Sequence, residues 1–193
     1  MIMVHGRNAA PSSILDLVPR FDRPAWTYLA PAAANHTWYP YSFMAETARN
    51  EPALSSALAA LERLVEDVAA RGIRREHLVL LGFSQGACLT AEFAVRHASR
   101  ASGRYGGIVV FSGGLIGPPG TTWDHPGSFD GAPVFLGCSD VDAHVPKARV
   151  DESAAVFARM GADVTARIYA GMGHLVNDDE IAFAQRVMDR VPS

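Results

Sequence analysis

A sharp corner between a strand and a helix, Gly82-Phe83-Ser84-Gln85-Gly86, constrains this chain more than any other feature. An apolar strand pattern, His77 to Leu81, leads into it, and an alanine-rich helical stretch, Ala87 to His97, leads out. G-x-S-x-G in that setting is the nucleophile-elbow pattern. The turn is so tight that a Cβ at either flank would meet neighbouring backbone, which accounts for the two glycines. The corner holds the serine in a strained conformation and lifts its hydroxyl clear of the sheet. The first helical N–H groups then face the space where a negative oxygen would develop.

Strand and helix patterns alternate around this corner. Met1 to Val4 reads as a short strand running into His5-Gly6, and Pro11 to Val18 as a first helix with Ile14, Leu15 and Val18 on one face. Ala25 to Leu29 reads as a second strand ended by Pro31, and an aromatic loop follows with Trp38, Tyr39, Tyr41 and Phe43. Leu54, Ala57, Leu58, Leu61, Leu64, Val65 and Val68 repeat at three- and four-residue spacing, which predicts a helix begun near Asn50 and Pro52 and stopped at Gly72. Tyr105 to Phe111, Ala132 to Gly137 and Val164 to Tyr169 read as strands, the last as an alternating edge strand. Val150 to Met160 and Ile181 to Val191 read as helices. A Gly/Pro-rich loop spans 117–131. The alternation predicts an α/β protein, a mostly parallel sheet with helices on both faces, in one domain over residues 1–193. In such sheets ligands sit beyond the carboxyl ends of the strands.

A serine hydroxyl needs a base within hydrogen-bond reach, and the base needs an orienting acid. Ser84 is the candidate nucleophile. His174, in Gly171-Met172-Gly173-His174 after the last strand, is the candidate base, because such a loop can carry an imidazole over the elbow. The acid is expected after the strand Val134-Phe135-Leu136, where Asp140 and Asp142 compete, and spacing does not separate them. The chain order Ser, Asp, His is that of an α/β-hydrolase. Two backbone donors are expected to face a developing oxyanion, the N–H of Gln85 and that of Arg7 in the loop His5-Gly6-Arg7-Asn8-Ala9. The Arg7 side chain could contact an anionic substrate or point to solvent, with solvent the favoured reading, and His5 reads as a structural residue pinning that loop. Trp38, Tyr39 and Phe43 on one side, with Leu115, Ile116 and Trp123 on another, are candidate walls of a pocket, with burial in the core as the competing reading.

These residues resemble the phospholipase/carboxylesterase family of α/β-hydrolases, which includes acyl-protein thioesterases and small bacterial carboxylesterases. The likeness rests on His5-Gly6, Trp38-Tyr39, Gly82 to Ala87, Ser112-Gly113-Gly114, Asp142 with Val145-Pro146, and Gly171 to His174. In that family the acid precedes a Val-Pro pair by three residues, so the resemblance selects Asp142 and leaves Asp140 auxiliary. It implies an α/β-hydrolase fold and makes the aromatic loop with Trp38, Tyr39 and Phe43 one wall of an acyl pocket. The sequence starts at the strand before His5-Gly6, so reduced N-terminal strands are expected, and no insertion is long enough for a cap domain, so the site is expected to be open and shallow. The resemblance further implies a serine carboxylesterase acting on esters or thioesters of short to medium acyl chains, or on aryl esters, with no metal and no organic cofactor. Lysophospholipase and acyl-protein thioesterase activities are the neighbouring alternatives, and a non-catalytic α/β-hydrolase used as a binding module is the alternative of another kind. Two positions depart from the family pattern. Arg7-Asn8-Ala9 replaces a glycine-rich His-Gly-x-Gly loop, and Leu136-Gly137-Cys138 stands where His-Gly is usual.

Composition limits the remaining classes. The 193 residues are 49% hydrophobic and 19% charged, enough for a sizeable core. A net charge of −3 with no basic block argues against nucleic-acid binding. No apolar run approaches the roughly 18 residues of a membrane span, so a small-molecule ester is the expected partner and the cytoplasm the expected location. Cys88 reads as a small buried hydrophobe and Cys138 as the end of a strand, and two unpaired cysteines fit a reducing compartment. The aromatic loop and the edge strand are each compatible with a homodimer contact or with a solvated surface.

Overall fold

The computed structural model describes residues 1–98 and 104–192. Five strands, β1 (Ile2–Val4), β2 (Val79–Phe83), β3 (Gly107–Phe111), β4 (Pro133–Ser139) and β5 (Asp163–Tyr169), form one sheet in that spatial order. Every neighbouring pair is parallel. The carboxyl ends of all five strands therefore lie along one edge of the sheet. The helices are α1 (Pro11–Leu15), α2 (Val18–Phe21), α3 (Ala53–Ala70), α4 (Gln85–His97), α5 (Lys147–Arg159) and α6 (Asp178–Asp189).

Strand periodicity divides the core into two layers. Ile2, Val4, Leu80, Ile108, Val110, Val134 and Leu136 face one side, where they pack with residues of α3, α4 and α5. Met3, Val79, Leu81, Val109, Phe111 and Phe135 face the other, against Ile14, Phe21 and the Ile181, Phe183, Ala184, Val187 and Met188 face of α6. Successive side chains of a strand point to opposite faces, so continuously apolar strands mark a sheet covered on both sides. β5 is more open along its length, as an edge strand is.

Two expected elements differ. The helix expected over residues 11–18 is split into α1 and α2, since Pro19 has no N–H with which to continue the ladder. The strand expected at residues 25–29 is reduced to a single bridge, Ile2 to Leu29. Leu29 donates to the Met1 carbonyl at 2.9 Å and accepts from Met3 N–H at 2.8 Å. β1 is only three residues long and offers no room for a longer ladder.

That bridge has a topological consequence. The chain leaves β1 outward to Leu29 but enters β2 on the opposite side, so the strand order reverses between β1 and β2. Right-handed crossovers then place α1 and α2 on one face and α3 on the other. The crevice at such a switch point, above the carboxyl ends of β1 and β2, is where open α/β sheets bind ligands. Among the described residues, no helix is long and apolar enough to cross a membrane.

Candidate active site

Ser84 ends β2 and precedes α4 with φ 56° and ψ −122°, a conformation that costs a non-glycine residue about 1–3 kcal/mol. Its surroundings hold it there. A Cβ on Gly82 would lie 2.4 Å from the Gly86 carbonyl oxygen, and one on Gly86 would lie 2.1 Å from that of Val4. Only bare backbone fits on either side of the serine. Ser84 N–H donates to the Phe111 carbonyl at 3.0 Å, which anchors the corner to β3.

Three side chains from three strand ends meet above this corner. His174 Nε2 lies 2.8 Å from Ser84 Oγ, and His174 Nδ1 lies 2.7 Å from Asp142 Oδ2. The tautomer satisfying both contacts carries its proton on Nδ1, donates to the carboxylate and leaves Nε2 to accept from the hydroxyl. The ring packs against Phe83 at 5.0 Å and against the edge of His144 at 4.8 Å between centroids. The Asp142 side chain is fully covered. Its Oδ1 accepts from the backbone N–H groups of His144 at 2.8 Å and Val145 at 3.0 Å. Burial alone would raise its pKa. The hydrogen bond from His174 and those two amides outweigh burial and hold the carboxyl below the usual range.

Asp140 stands apart from the imidazole. Its Oδ1 accepts the N–H of Gly171 at 2.8 Å, while Ser139 Oγ accepts that of Gly173 at 3.0 Å. Together the two residues pin the loop that carries His174.

The side of the cleft formed by the loop after β1 is also anchored. His5 is buried, accepts from Ala33 N–H through Nε2 at 3.2 Å, and its carbonyl accepts from Trp38 Nε1 at 2.8 Å. The Gln85 side chain receives Trp38 N–H at 3.0 Å and donates to the Tyr39 carbonyl at 2.7 Å. The residue after Ser84 thus fixes the aromatic loop as well as presenting its own N–H at the start of α4. The Arg7 guanidinium is exposed, in keeping with the favoured reading, and also donates to the carbonyls of Pro40 at 2.8 Å and Tyr41 at 2.7 Å. The loop after β1 runs beside the aromatic loop, and that proximity captures the side chain.

The cleft above Ser84 encloses about 620 Å³. Tyr39 and Phe43 line it, as expected, but Trp38, Leu115, Ile116 and Trp123 do not; they belong to the core beneath. Trp123 Nε1 donates to the Ile116 carbonyl, Leu115 N–H to Ser153 Oγ, and Ile116 N–H to Glu92, so the segment after β3 is turned inward. In its place Ile14 of α1, Phe83 and Val145 supply apolar wall. Nothing in the periodicity marked them: Ile14 lies on the apolar face of the expected first helix, Phe83 within the elbow motif and Val145 in the Val-Pro pair. Cys88 lies one turn below Ser84 at the floor, where burial pushes its thiol up to about 12, so it is no rival nucleophile near neutral pH. Among the described residues, no group of three or more His, Cys, Asp or Glu side chains is arranged to hold a metal ion.

A parallel sheet with helices on both faces, an elbow serine on its second strand and a histidine after its last defines an α/β-hydrolase. A family model described as phospholipase/carboxylesterase matches residues 23–191, and the chain belongs to that family. The crystal structure of a phospholipase/carboxylesterase from Dyadobacter fermentans is 40% identical, with a TM-score of 0.89 over 97% of this chain and 88% of that one. Acyl-protein thioesterase 1 of Eremothecium gossypii is 33% identical over 136 residues, 66% of this chain and 54% of that protein. The match therefore spans about half the length of that curated relative. The carboxylesterase of Bacillus cereus, at 21% identity and a TM-score of 0.77, shares the fold.

Proposed function

We propose that this chain is a serine carboxylesterase, a single α/β-hydrolase domain that cleaves carboxylic esters or thioesters of short to medium acyl chains, or aryl esters, through an acyl-enzyme. The observation that carries the reading is the continuous contact from Asp142 through His174 to Ser84, at 2.7 and 2.8 Å. Ser84 Oγ attacks the acyl carbon while His174 Nε2 takes its proton. The tetrahedral oxyanion faces the backbone N–H groups of Gln85 and Arg7. As the carbon–oxygen or carbon–sulfur bond breaks, the imidazolium returns the proton to the leaving group. A water deprotonated by His174 then attacks the acyl-enzyme, releases the acid and regenerates Ser84. Asp142 stays ionised throughout and stabilises the imidazolium.

Hydrolysis of p-nitrophenyl butyrate by the wild type and by Ser84→Ala tests this. The variant is expected to fold normally and to lose activity by about four orders of magnitude or more. A Ser84→Ala protein with undiminished activity would remove the mechanism. The similarity to acyl-protein thioesterase 1 supports a narrower thioester preference, which parallel rates on an S-acylated peptide, a lysophospholipid and the aryl ester would resolve.

A further inference from the structure

The chain carries a net charge of −3, yet among the described residues no Asp or Glu lines the cleft. Its charged and titratable lining comprises the Arg7 guanidinium, the imidazoles of His144 and His174, Tyr39 and Tyr41, and the neutral Cys88 thiol. Asp142 is covered behind His174. Arg7 is exposed at the wall but held in place by its two backbone carbonyls. Two of its five N–H donors are used in those contacts, which leaves three for a ligand. Carbonyl oxygens orient a guanidinium without neutralising it, and among the described residues no carboxylate forms an ion pair with Arg7. A second guanidinium, that of Arg49, lies over the Tyr41 ring at 4.4 Å and is likewise free of an ion pair among the described residues. Tyr41 lines the same cleft, so the two arginines flank one aromatic wall.

An oriented cation without a counterion, in the wall of a cleft that no described carboxylate lines, is suited to a planar anion. We infer that the preferred substrates carry a carboxylate on the acyl half of the ester, distal to the scissile carbonyl, and that Arg7 seats it with Arg49 adding to the field. The acyl half is assigned because Arg7 grips Pro40 and Tyr41, in the loop that also supplies Tyr39 and Phe43 to the cleft. This rests on the hydrolytic reading above and names its substrate class. The acyl chain lies along the Phe43 side, and its terminal carboxylate replaces water on the outer N–H groups of Arg7. No covalent step differs from the ester hydrolysis already described.

The test compares kcat/KM for the p-nitrophenyl half-ester of adipic acid with that for p-nitrophenyl hexanoate. The wild type is expected to favour the half-ester by roughly five- to tenfold at low ionic strength, with the advantage shrinking in high salt. Arg7→Gln should bring the ratio to about one, Arg7→Lys should retain only part of it because an ammonium keeps the charge without the oriented fork, and Arg49→Gln should lower it in part. The ratio is the readout because any common loss, from a loosened loop or a shifted Arg7 N–H, cancels in it. Equal rates on the two esters in the wild type, or a ratio untouched by Arg7→Gln and Arg49→Gln, would overturn the inference and leave the hydrolase intact. A preference for 4-carboxyphenyl over phenyl hexanoate, with none for the half-ester, would overturn the acyl-side assignment. Failure to hydrolyse any of these esters would sink the hydrolytic reading itself.

Discussion

The carboxylate of Asp140 accepts the backbone N–H of Gly171 at 2.8 Å, tying the loop after β4 to the loop that presents His174. The neighbouring acid, Asp142, holds the imidazole; this one holds the backbone that carries it. Asp140→Ala should therefore lower kcat by about tenfold through looser placement of the ring, with KM and thermal stability little changed. Asp140→Asn keeps the accepting oxygen and should restore most of the rate. Steady-state kinetics on both variants separates this positioning role from a merely exposed loop charge, which would leave kcat untouched.

Gln85 bridges the elbow and the aromatic loop through both ends of its amide. Gln85→Ala strands the N–H of Trp38 and the carbonyl of Tyr39 in the interior. Chemical denaturation should show a loss of about 2–3 kcal/mol, and KM should rise as the Tyr39 wall loosens. The backbone N–H at position 85 survives the substitution, so the fall in kcat should be smaller than the rise in KM.

Gly86→Ala forces a methyl to within 2.1 Å of the Val4 carbonyl oxygen and 2.5 Å of that of His5. Neither is the end of a flexible side chain. Separation of α4 from β1 is the only relief, and equilibrium unfolding should report a loss of about 3 kcal/mol or more.

Glu180 contributes a pH dependence unrelated to the reaction. It completes a capping box with Asn177 at the start of α6, yet its Oε1 is buried without a hydrogen-bond partner, over Gly137. Burial pushes its carboxyl up to about 7, with Asp179 adding to the rise and the Asn177 amide and Arg20 opposing it. The unfolded group titrates near 4.3, so between those values the folded chain holds a proton that the unfolded chain has released. Stability should consequently fall as pH rises from about 4.3 to about 7 and stay lower above that. Glu180→Gln preserves the cap and removes the titration. Thermal melts should show it more stable than wild type at pH 8, by on the order of 1–3 kcal/mol, with a smaller difference at pH 5.

Sequence and structure agree where local rules dominate. The elbow glycines, the apolar strand before them and the helix Gln85–His97 follow from sterics and periodicity within one short segment, and α3 from a clean three–four repeat. The choice between Asp140 and Asp142 was not legible in spacing. Both lie on one turn, and their difference resides in which carboxylate the amides of residues 144 and 145 enclose. Aromatic content likewise did not reveal direction. Trp38 and Trp123 are as apolar as Phe43, but their indole N–H groups find carbonyl partners in the interior, at His5 and Ile116. The two contacts of the exposed Arg7 side chain were not legible for a related reason. Its partners, Pro40 and Tyr41, are more than thirty residues away and offer backbone carbonyls, which no side-chain pattern announces.

Covalent labelling probes the reactive serine without any assumption about substrate. The wild-type protein, treated with a fluorophosphonate and digested, should carry one phosphonyl group, mapped by mass spectrometry to Ser84. The adduct should vanish in Ser84→Ala and form far more slowly in His174→Ala. An unlabelled wild type, or an adduct on another residue that persists in Ser84→Ala, would contradict the assignment of a nucleophile activated by His174.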